Sequence, residues 1–150
     1  MPITELNHYS VRTVNVDASA KFYTEVLGFT VGPRPPFPFP GVWLYNGSHD
    51  KSSNAVVHVI GVDVGNDKGL VDYMGDRSLD SLKGTGSLDH VAFFANGLTD
   101  MTTMLTTKGI NFTQREVPSA GLHQVFVTDP SGVVVELNYQ AHEYTAAKPA

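Results

Sequence analysis

Hydrophobic and polar positions follow the same order of patterns twice along the 150-residue chain. The first half predicts a helix over residues 18–27, in which Ala18, Phe22 and Val26 are spaced by four. Asp17 is a suitable N-cap and Gly28 a suitable end for this helix. The strands predicted around it cover residues 6–14, 29–32, 42–45 and 55–60. The first half therefore predicts the order β-α-β-β-β.

The second half repeats this order. Its predicted helix covers residues 97–107, and its predicted strands cover residues 88–95, 110–117, 122–128 and 133–139. Two copies of one unit, each with a sheet that lacks a covering layer, predict an α+β fold in which two βαβββ modules pair. We expect a first module at 1–61, a linker at 62–87, a second module at 88–140 and a flexible tail at 141–150.

Composition narrows the range of functions. The chain has a net charge of -5 with only ten Lys and Arg residues, so a nucleic acid or an anionic membrane is not an expected partner. It contains no cysteine, so any metal must be bound by imidazole and carboxylate groups. No apolar stretch approaches the length of a membrane span, and no signal peptide is recognisable. We therefore expect a cytoplasmic protein.

Three histidines and one glutamate occupy equivalent positions in the two modules. His8 and His90 are each the third residue of a first predicted strand, whereas His58 and Glu136 lie in the last strand of each module. A pseudo-twofold axis between the modules would bring all four side chains to one point. Glu136 lies among valines, where a buried and unpaired carboxylate would lower the free energy of unfolding. A cation shared with three imidazoles would remove this penalty. We therefore predict one divalent metal ion, with Fe²⁺, Zn²⁺, Ni²⁺ and Mn²⁺ all possible.

Two further residues are candidates for catalysis beside Glu136. Strand alternation puts Arg12 on the same face as His8, where its guanidinium could bind an anionic group of a substrate. His123 opens the strand predicted at 122–128, where it could act as an acid, a base or a substrate contact near the metal.

Several segments resemble the vicinal-oxygen-chelate superfamily, which includes glyoxalase I, methylmalonyl-CoA epimerase, extradiol dioxygenases, and fosfomycin and bleomycin resistance proteins. The resemblance covers about residues 3–140. The segments are Leu6-Asn7-His8, KFYTEVLGF at 21–29, DHVAF at 89–93 and DPSGVVVEL at 129–137.

The resemblance implies two paired βαβββ modules that form an open curved β-cup around a metal, with a helix behind each module. His8, His90 and Glu136 match the usual ligand positions of the family, and Arg12 matches an arginine of the glyoxalase I pocket. The chain departs at His58, where glyoxalase I has a glutamate and the epimerase a glutamine. It therefore lacks the second carboxylate that glyoxalase I uses to move protons.

Several chemistries remain open for such a site. Four protein ligands leave about two positions of an octahedral ion for a small-molecule substrate that chelates through vicinal oxygens, and Glu136 or His123 would be the general base of an isomerase, epimerase or lyase. In an extradiol-type Fe(II) dioxygenase, His8, His90 and Glu136 would bind the iron and His58 would not be a metal ligand. A non-catalytic drug- or metabolite-binding resistance protein and an epoxide-opening transferase are further alternatives. A homodimer is expected, because modules of this superfamily sometimes pair between subunits.

Overall fold

The computed structural model describes residues 5–47 and 54–147. The chain forms two compact units, Met1–Leu82 and Lys83–Ala150. Each unit contains a four-stranded mixed sheet that does not close on itself, and each follows the order β-α-β-β-β before a further helix. The predicted α+β fold with two βαβββ modules is therefore confirmed.

The first unit has the strand order β1-β4-β3-β2, with β1 and β4 parallel and the other neighbours antiparallel. Helix α1 continues directly into a π-helical turn, Phe22–Val26. The unit ends with a 3₁₀ turn, Leu79–Leu82. The remaining elements are β1 (Tyr9–Thr13), α1 (Val16–Lys21), β2 (Thr30–Gly32), β3 (Gly41–Tyr45), β4 (Ala55–Gly61) and α2 (Lys68–Met74).

The second unit repeats the topology, with the strand order β5-β8-β7-β6 and a parallel pair formed by β5 and β8. A 3₁₀ turn, Pro118–Ala120, connects its second and third strands. The other elements are β5 (Val91–Phe94), α3 (Leu98–Thr107), β6 (Phe112–Val117), β7 (Leu122–Thr128), β8 (Val134–Gln140) and α4 (Ala141–Ala147).

Each sheet has one apolar face that packs into the core of its unit. Because side chains alternate along a strand, the residues between these core positions lie on the opposite face of the sheet. The fully buried apolar residues of the first unit include Tyr23, Leu44, Val57 and Val59, and those of the second include Leu105, Val125, Val135 and Tyr139. The opposite faces carry the polar residues described below.

Several element bounds differ from the sequence-based expectation. Strands β1 and β5 each begin one residue after His8 and His90, which were predicted to lie inside them. Helix α1 begins at Val16 rather than Ala18, because Asn15 is its N-cap and accepts a hydrogen bond from the Ala18 N–H at 3.0 Å. Asp17 therefore lies in the first turn, where a negative charge is favourable. The segment expected to be flexible from residue 141 forms helix α4 as far as residue 147. No helix among the described residues is long and apolar enough to cross a membrane.

Candidate functional site

His8 and His58 meet on one face of the first sheet. Strand β1 pairs in parallel with β4 so that Ser10 lies opposite His58, and His8 comes two residues before Ser10 on the same face. The two imidazole rings stack with a centroid separation of 3.8 Å. The first predicted pair of ligands is therefore brought together within its unit.

His90 and Glu136 meet in the same way in the second unit. Ala92 lies opposite Glu136 in the parallel pair, and His90 comes two residues before Ala92. The His90 Nε2 atom lies 3.1 Å from Glu136 Oε2. The two units therefore share the same strand register as well as the same order of elements. The second predicted pair of ligands is also brought together within its unit.

The two oxygens of Glu136 have different surroundings. Glu136 is only 5% exposed, and its Oε1 accepts hydrogen bonds from Gln124 Nε2 at 2.8 Å and Asn138 Nδ2 at 2.7 Å. Gln124 is itself fixed, because its Oε1 accepts from Arg115 Nε and Nη2 at 2.9 and 2.7 Å. These contacts orient the carboxylate so that Oε2 faces His90. Gln124, Asn138 and Arg115 were not predicted from the sequence to belong to the site.

A side-chain oxygen of the preceding residue contacts the Nδ1 atom of both His8 and His90. The Asn7 Oδ1 atom lies 2.5 Å from His8 Nδ1, and Asp89 Oδ2 lies 2.7 Å from His90 Nδ1. An oxygen acceptor at Nδ1 favours the tautomer with its proton there, and the lone pair is then on Nε2. Histidines that bind metals commonly have such an outer partner on the second ring nitrogen.

The geometry of His90 and Glu136 fits a divalent cation. With the proton on Nδ1, the His90 Nε2 lone pair faces a carboxylate oxygen, an arrangement that a shared cation stabilises. Two ligands bound at about 2.1 Å in neighbouring octahedral positions would be about 3.0 Å apart, close to the observed separation. Among the described residues, no three His, Asp or Glu side chains are placed so that they could hold one metal ion, so the candidate ligands are present as one pair in each unit.

His58 lies in an aromatic environment. Its ring stacks on Trp43 with a centroid separation of 4.0 Å and on His8 on the same sheet face. Burial lowers the pKa of His58 from 6.5 to about 4, and the nearby His8 and Arg34 add to this effect. The imidazole is therefore neutral at physiological pH, the form that a metal ligand requires.

A cleft of about 250 Å³ opens beside this pair of histidines, entirely within the first unit. Residues 33–40 form a proline-rich loop, PRPPFPFP, between β2 and β3. Phe37 and Phe39 line the cleft from this loop, Trp43 lines it from β3, and Tyr73 lines it from α2. Arg34 also lines the cleft, with its guanidinium carbon 5.0 and 5.2 Å from the ring centres of Phe37 and Phe39. The structure therefore assembles an aromatic cleft with one cation from residues that are distant in sequence.

Arg12 lies on the strand face predicted for it, but its guanidinium contacts the end of a helix. Its Nη1 and Nη2 donate to the carbonyl oxygens of Gly75 and Met74 at 3.0 and 3.1 Å. Burial lowers the pKa of Arg12, as does the nearby Arg77, whereas Asp76 opposes the shift. Arg12 thus holds the C-terminus of α2 beside the cleft, and its contact with a substrate stays a prediction.

His123 lies on the opposite face of the sheet from Glu136. In β7 it pairs with Tyr139 of β8, whereas Phe126 pairs with Glu136, so an odd number of residues separates the two positions. The buried His123 ring stacks on Tyr144 of α4 at 4.1 Å, and its Nε2 lies 2.9 Å from Gln114 Oε1. His123 therefore faces away from Glu136, and its contacts do not support the acid or base role predicted for it.

Comparisons with known proteins agree with the fold. Residues 5–137 match the model of the Glyoxalase/Bleomycin resistance protein/Dioxygenase superfamily. The chain is 29% identical over 139 residues to Glyoxylase I 4 of Arabidopsis thaliana, which covers 90% of this chain and 70% of the relative.

Solved structures share the fold at low sequence identity. A glyoxalase family protein from Bacillus anthracis has a TM-score of 0.65 and 18% identity, covering 92% of this chain and 96% of that protein. Lactoylglutathione lyase from Agrobacterium tumefaciens has a TM-score of 0.61 and 16% identity, covering 93% of this chain and 96% of that protein. With the repeated βαβββ order and the family match over most of its length, the chain belongs to the Glyoxalase/Bleomycin resistance protein/Dioxygenase superfamily.

Proposed function

We infer that the protein is a divalent-metal-dependent enzyme that chelates its substrate through vicinal oxygens and promotes proton transfer of the isomerase, epimerase or lyase type. The buried carboxylate of Glu136 carries this inference. Its Oε1 is held by two amide donors, whereas its Oε2 faces His90 Nε2 at 3.1 Å. A buried anion held in this way is suited to binding a cation or accepting a proton.

The metal ligands of the proposed enzyme are His8, His58, His90 and Glu136. Members of the superfamily typically bind a divalent metal ion. Imidazole and carboxylate donors suit Fe²⁺, Zn²⁺, Ni²⁺ or Mn²⁺. When bound, the cation would supply Lewis-acid chemistry by stabilising negative charge on the substrate oxygens as a C–H proton leaves.

Glu136 is the general base of the proposed reaction. Its Oε2 is the carboxylate oxygen without an amide donor. One lone pair of this oxygen would bind the cation shared with His90, and the other would accept the proton from the substrate carbon and return it to a neighbouring position. Gln124 and Asn138 keep the carboxylate in place through Oε1 during the transfer. Such prearranged hydrogen bonds limit the reorganisation that accompanies proton movement.

Metal analysis of protein purified without added metal tests this proposal. We expect about one divalent ion per chain in the wild type and the largest loss of metal in Glu136→Ala, which removes the only anionic ligand. Glu116→Ala is the matched control, because Glu116 is an exposed carboxylate of β6 that pairs with His123 on the other sheet face. Equal metal content in the wild type and a His8→Ala, Glu136→Ala double variant would refute the proposal.

An extradiol-type Fe(II) dioxygenase is the second candidate function. The aromatic cleft beside His58 favours it, because a flat catechol-like ring could stack there. His8, His90 and Glu136 would then bind the iron, and His58 would stand off the metal.

The His58→Ala variant separates the two functions. If His58 is a ligand, the metal Kd should rise roughly tenfold or more, judged from the cost of losing even an outer-shell partner. If His58 stands off the metal, the metal content should stay unchanged while turnover falls. Oxygen uptake by Fe²⁺-loaded wild-type protein on a panel of catechols would then identify a dioxygenase.

A further inference from the structure

We propose that the cleft of the first unit binds a planar aromatic anion, namely an aromatic ring that carries a carboxylate, with the ring among the aromatic side chains and the carboxylate on Arg34. The proposal deepens the proposed function by naming a substrate class, and for the reaction it rests on that function or on its second candidate. The binding itself depends only on residues of the first unit.

The walls of the cleft suit a flat ring. Phe37 and Phe39 stack with a centroid separation of 5.2 Å, and Tyr73 lies 5.3 and 5.6 Å from them. Trp43 lies 6.1 Å from Phe37 and continues the row of rings to His58. Stacked and tilted rings at such distances favour another aromatic ring more than an aliphatic group of similar size.

These aromatic side chains are accessible to a ligand. Tyr73 is 60% exposed, whereas Phe37, Phe39 and Trp43 are half-buried. The volume of about 250 Å³ has room for a molecule the size of a substituted benzene ring, which is much smaller than a glutathione conjugate. The cleft therefore favours a compact aromatic molecule.

Arg34 gives the cleft its preference for an anion. One of its Nη2 hydrogens donates to the Phe39 carbonyl oxygen at 2.9 Å, and the guanidinium lies against the Phe37 and Phe39 rings. Among the described residues, no carboxylate forms an ion pair with Arg34. A guanidinium has five N–H donors and matches a carboxylate in shape, so the partly desolvated Arg34 suits a bound carboxylate.

The packing around the cleft keeps Arg34 and the aromatic rings in place. The Tyr45 hydroxyl donates to the Pro33 carbonyl oxygen at 2.6 Å and ties the start of the loop to the sheet. At the other end, Gly69 of α2 packs so closely on Pro38 that a Cβ atom would overlap the Pro38 carbonyl oxygen. A cleft that is formed before the ligand arrives loses less entropy on binding.

Quenching of tryptophan fluorescence tests the proposal directly, because Trp43 is the only tryptophan of the chain and lines the cleft. Metal-free protein in EDTA would be titrated with benzoate, with cyclohexanecarboxylate, which has the charge without the flat ring, and with benzamide, which has the ring without the charge. We expect saturable quenching by benzoate and a Kd at least about tenfold higher for each of the other two.

The Arg34→Gln variant should raise the Kd for benzoate about tenfold or more and leave that for benzamide unchanged. Lys21→Gln is the matched control, because it removes one positive charge from the exposed surface of α1 and should change neither Kd. Circular dichroism would verify that both variants fold.

The proposal is overturned if benzoate fails to saturate by about 10 mM. Equal affinity for benzoate and cyclohexanecarboxylate, or for benzoate and benzamide, would also overturn it, and these comparisons need no variant. EDTA keeps the protein free of metal during the titration, so benzoate binding is measured independently of the metal site. If the protein binds benzoate but fails to bind metal after EDTA is removed, the proposed function alone is refuted. Metal binding without benzoate discrimination would refute this inference alone.

Discussion

At the scale of single residues, Gln124 connects Arg115 to the candidate carboxylate ligand Glu136 through its side-chain hydrogen bonds. Its amide nitrogen donates to both Glu136 Oε1 and Asn138 Oδ1, and its amide oxygen accepts from Arg115. This arrangement assigns a direction to every hydrogen bond of the network. Together with Asn138, Gln124 therefore determines which oxygen of Glu136 remains available to bind a metal ion.

Replacing Gln124 should weaken metal binding without removing a ligand. We expect Gln124→Leu to raise the metal Kd about 10- to 100-fold, the cost typical of losing an outer-shell partner of a metal ligand. Gln114→Leu is the control, because Gln114 forms a hydrogen bond of similar length to His123 on the other sheet face. Isothermal titration with Mn²⁺ or Zn²⁺ measures both. Equal affinities in the two variants would contradict the role of Gln124.

His58 should make the stability of the metal-free protein sensitive to acid. Burial holds its folded pKa near 4, whereas the unfolded value is 6.5, so the unfolded chain binds more protons between these values. The contribution of His58 to stability is therefore present above pH 6.5 and is lost as the pH falls towards 4.

The His58→Phe variant isolates this effect, since it keeps an aromatic ring between Trp43 and His8 but cannot titrate. In EDTA, urea unfolding of the wild type should lose more stability than that of His58→Phe between pH 7 and pH 5. Parallel pH profiles for the two proteins would show that His58 is not the group responsible.

At the scale of the elements, α2 and α4 lie outside the repeated βαβββ order, and each supports a neighbouring part of its unit. Helix α2 supplies Tyr73 and Met74 to the cleft and is held at its C-terminus by Arg12. Helix α4 contributes Tyr144, which covers His123, and Glu143, which contacts the start of α3. Both helices therefore connect parts of a unit that the sheet alone would leave apart.

The contact between α2 and the proline-rich loop should be sensitive to one methyl group. In a free helix, Gly69→Ala would stabilise by about 1 kcal/mol. Here the added Cβ would overlap the Pro38 backbone, and such overpacking typically costs about 1–3 kcal/mol. We expect a net loss in urea unfolding and weaker benzoate quenching of Trp43. Lys68→Ala, on the exposed surface of the same helix, should leave the quenching unchanged.

Glu143 should stabilise the second unit by capping α3. Its Oε2 accepts from the N–H groups of Gly97 and Leu98 at 2.8 and 3.0 Å, where Gly97 has no side chain to do so. Glu143→Ala should therefore cost about 0.5–2 kcal/mol, as for other N-cap losses. Thermal or urea unfolding measures the change. Glu5→Ala removes an equal charge from an exposed position and should have almost no effect.

At the scale of the whole molecule, each unit contributes half of the candidate metal ligands. His8 and His58 belong to the first unit, and His90 and Glu136 belong to the second. Under the proposed function, bound metal should therefore raise the free energy of unfolding through ligands from both units. A metal concentration of 100 times Kd adds about 2.7 kcal/mol to the free energy of unfolding.

The expected increase should depend on both units. We predict that His8→Ala and Glu136→Ala each reduce the rise in Tm at a fixed concentration of added metal, and that the double variant abolishes it. Differential scanning calorimetry with and without the metal measures the shift. If Glu136→Ala abolished the shift while His8→Ala and His58→Ala left it unchanged, the ligands would come from the second unit alone.

The sequence by itself determined the repeated βαβββ order and the equivalence of the four candidate ligands. Helix and strand periods are local properties, so they can be read within a window of about ten residues. The repeat then relates His8 to His90 and His58 to Glu136 without knowledge of any contact. The strand register confirms these relations. His8 comes two residues before Ser10, which pairs with His58, and His90 comes two residues before Ala92, which pairs with Glu136.

Only the tertiary structure decided which side chains surround those ligands. The alternation of polar and apolar residues could not show which side chains of β7 lie on which face of the sheet, because His123, Gln124 and Val125 are all buried. The helices on one side and the polar network on the other bury both faces of that strand. Likewise, Tyr73 of α2 contacts Phe37 and Phe39 of the proline-rich loop in the cleft, and this contact between distant segments depends on how α2 packs on the loop. Hydrogen bonds and packing act across space, so local periodicity carries no information about them.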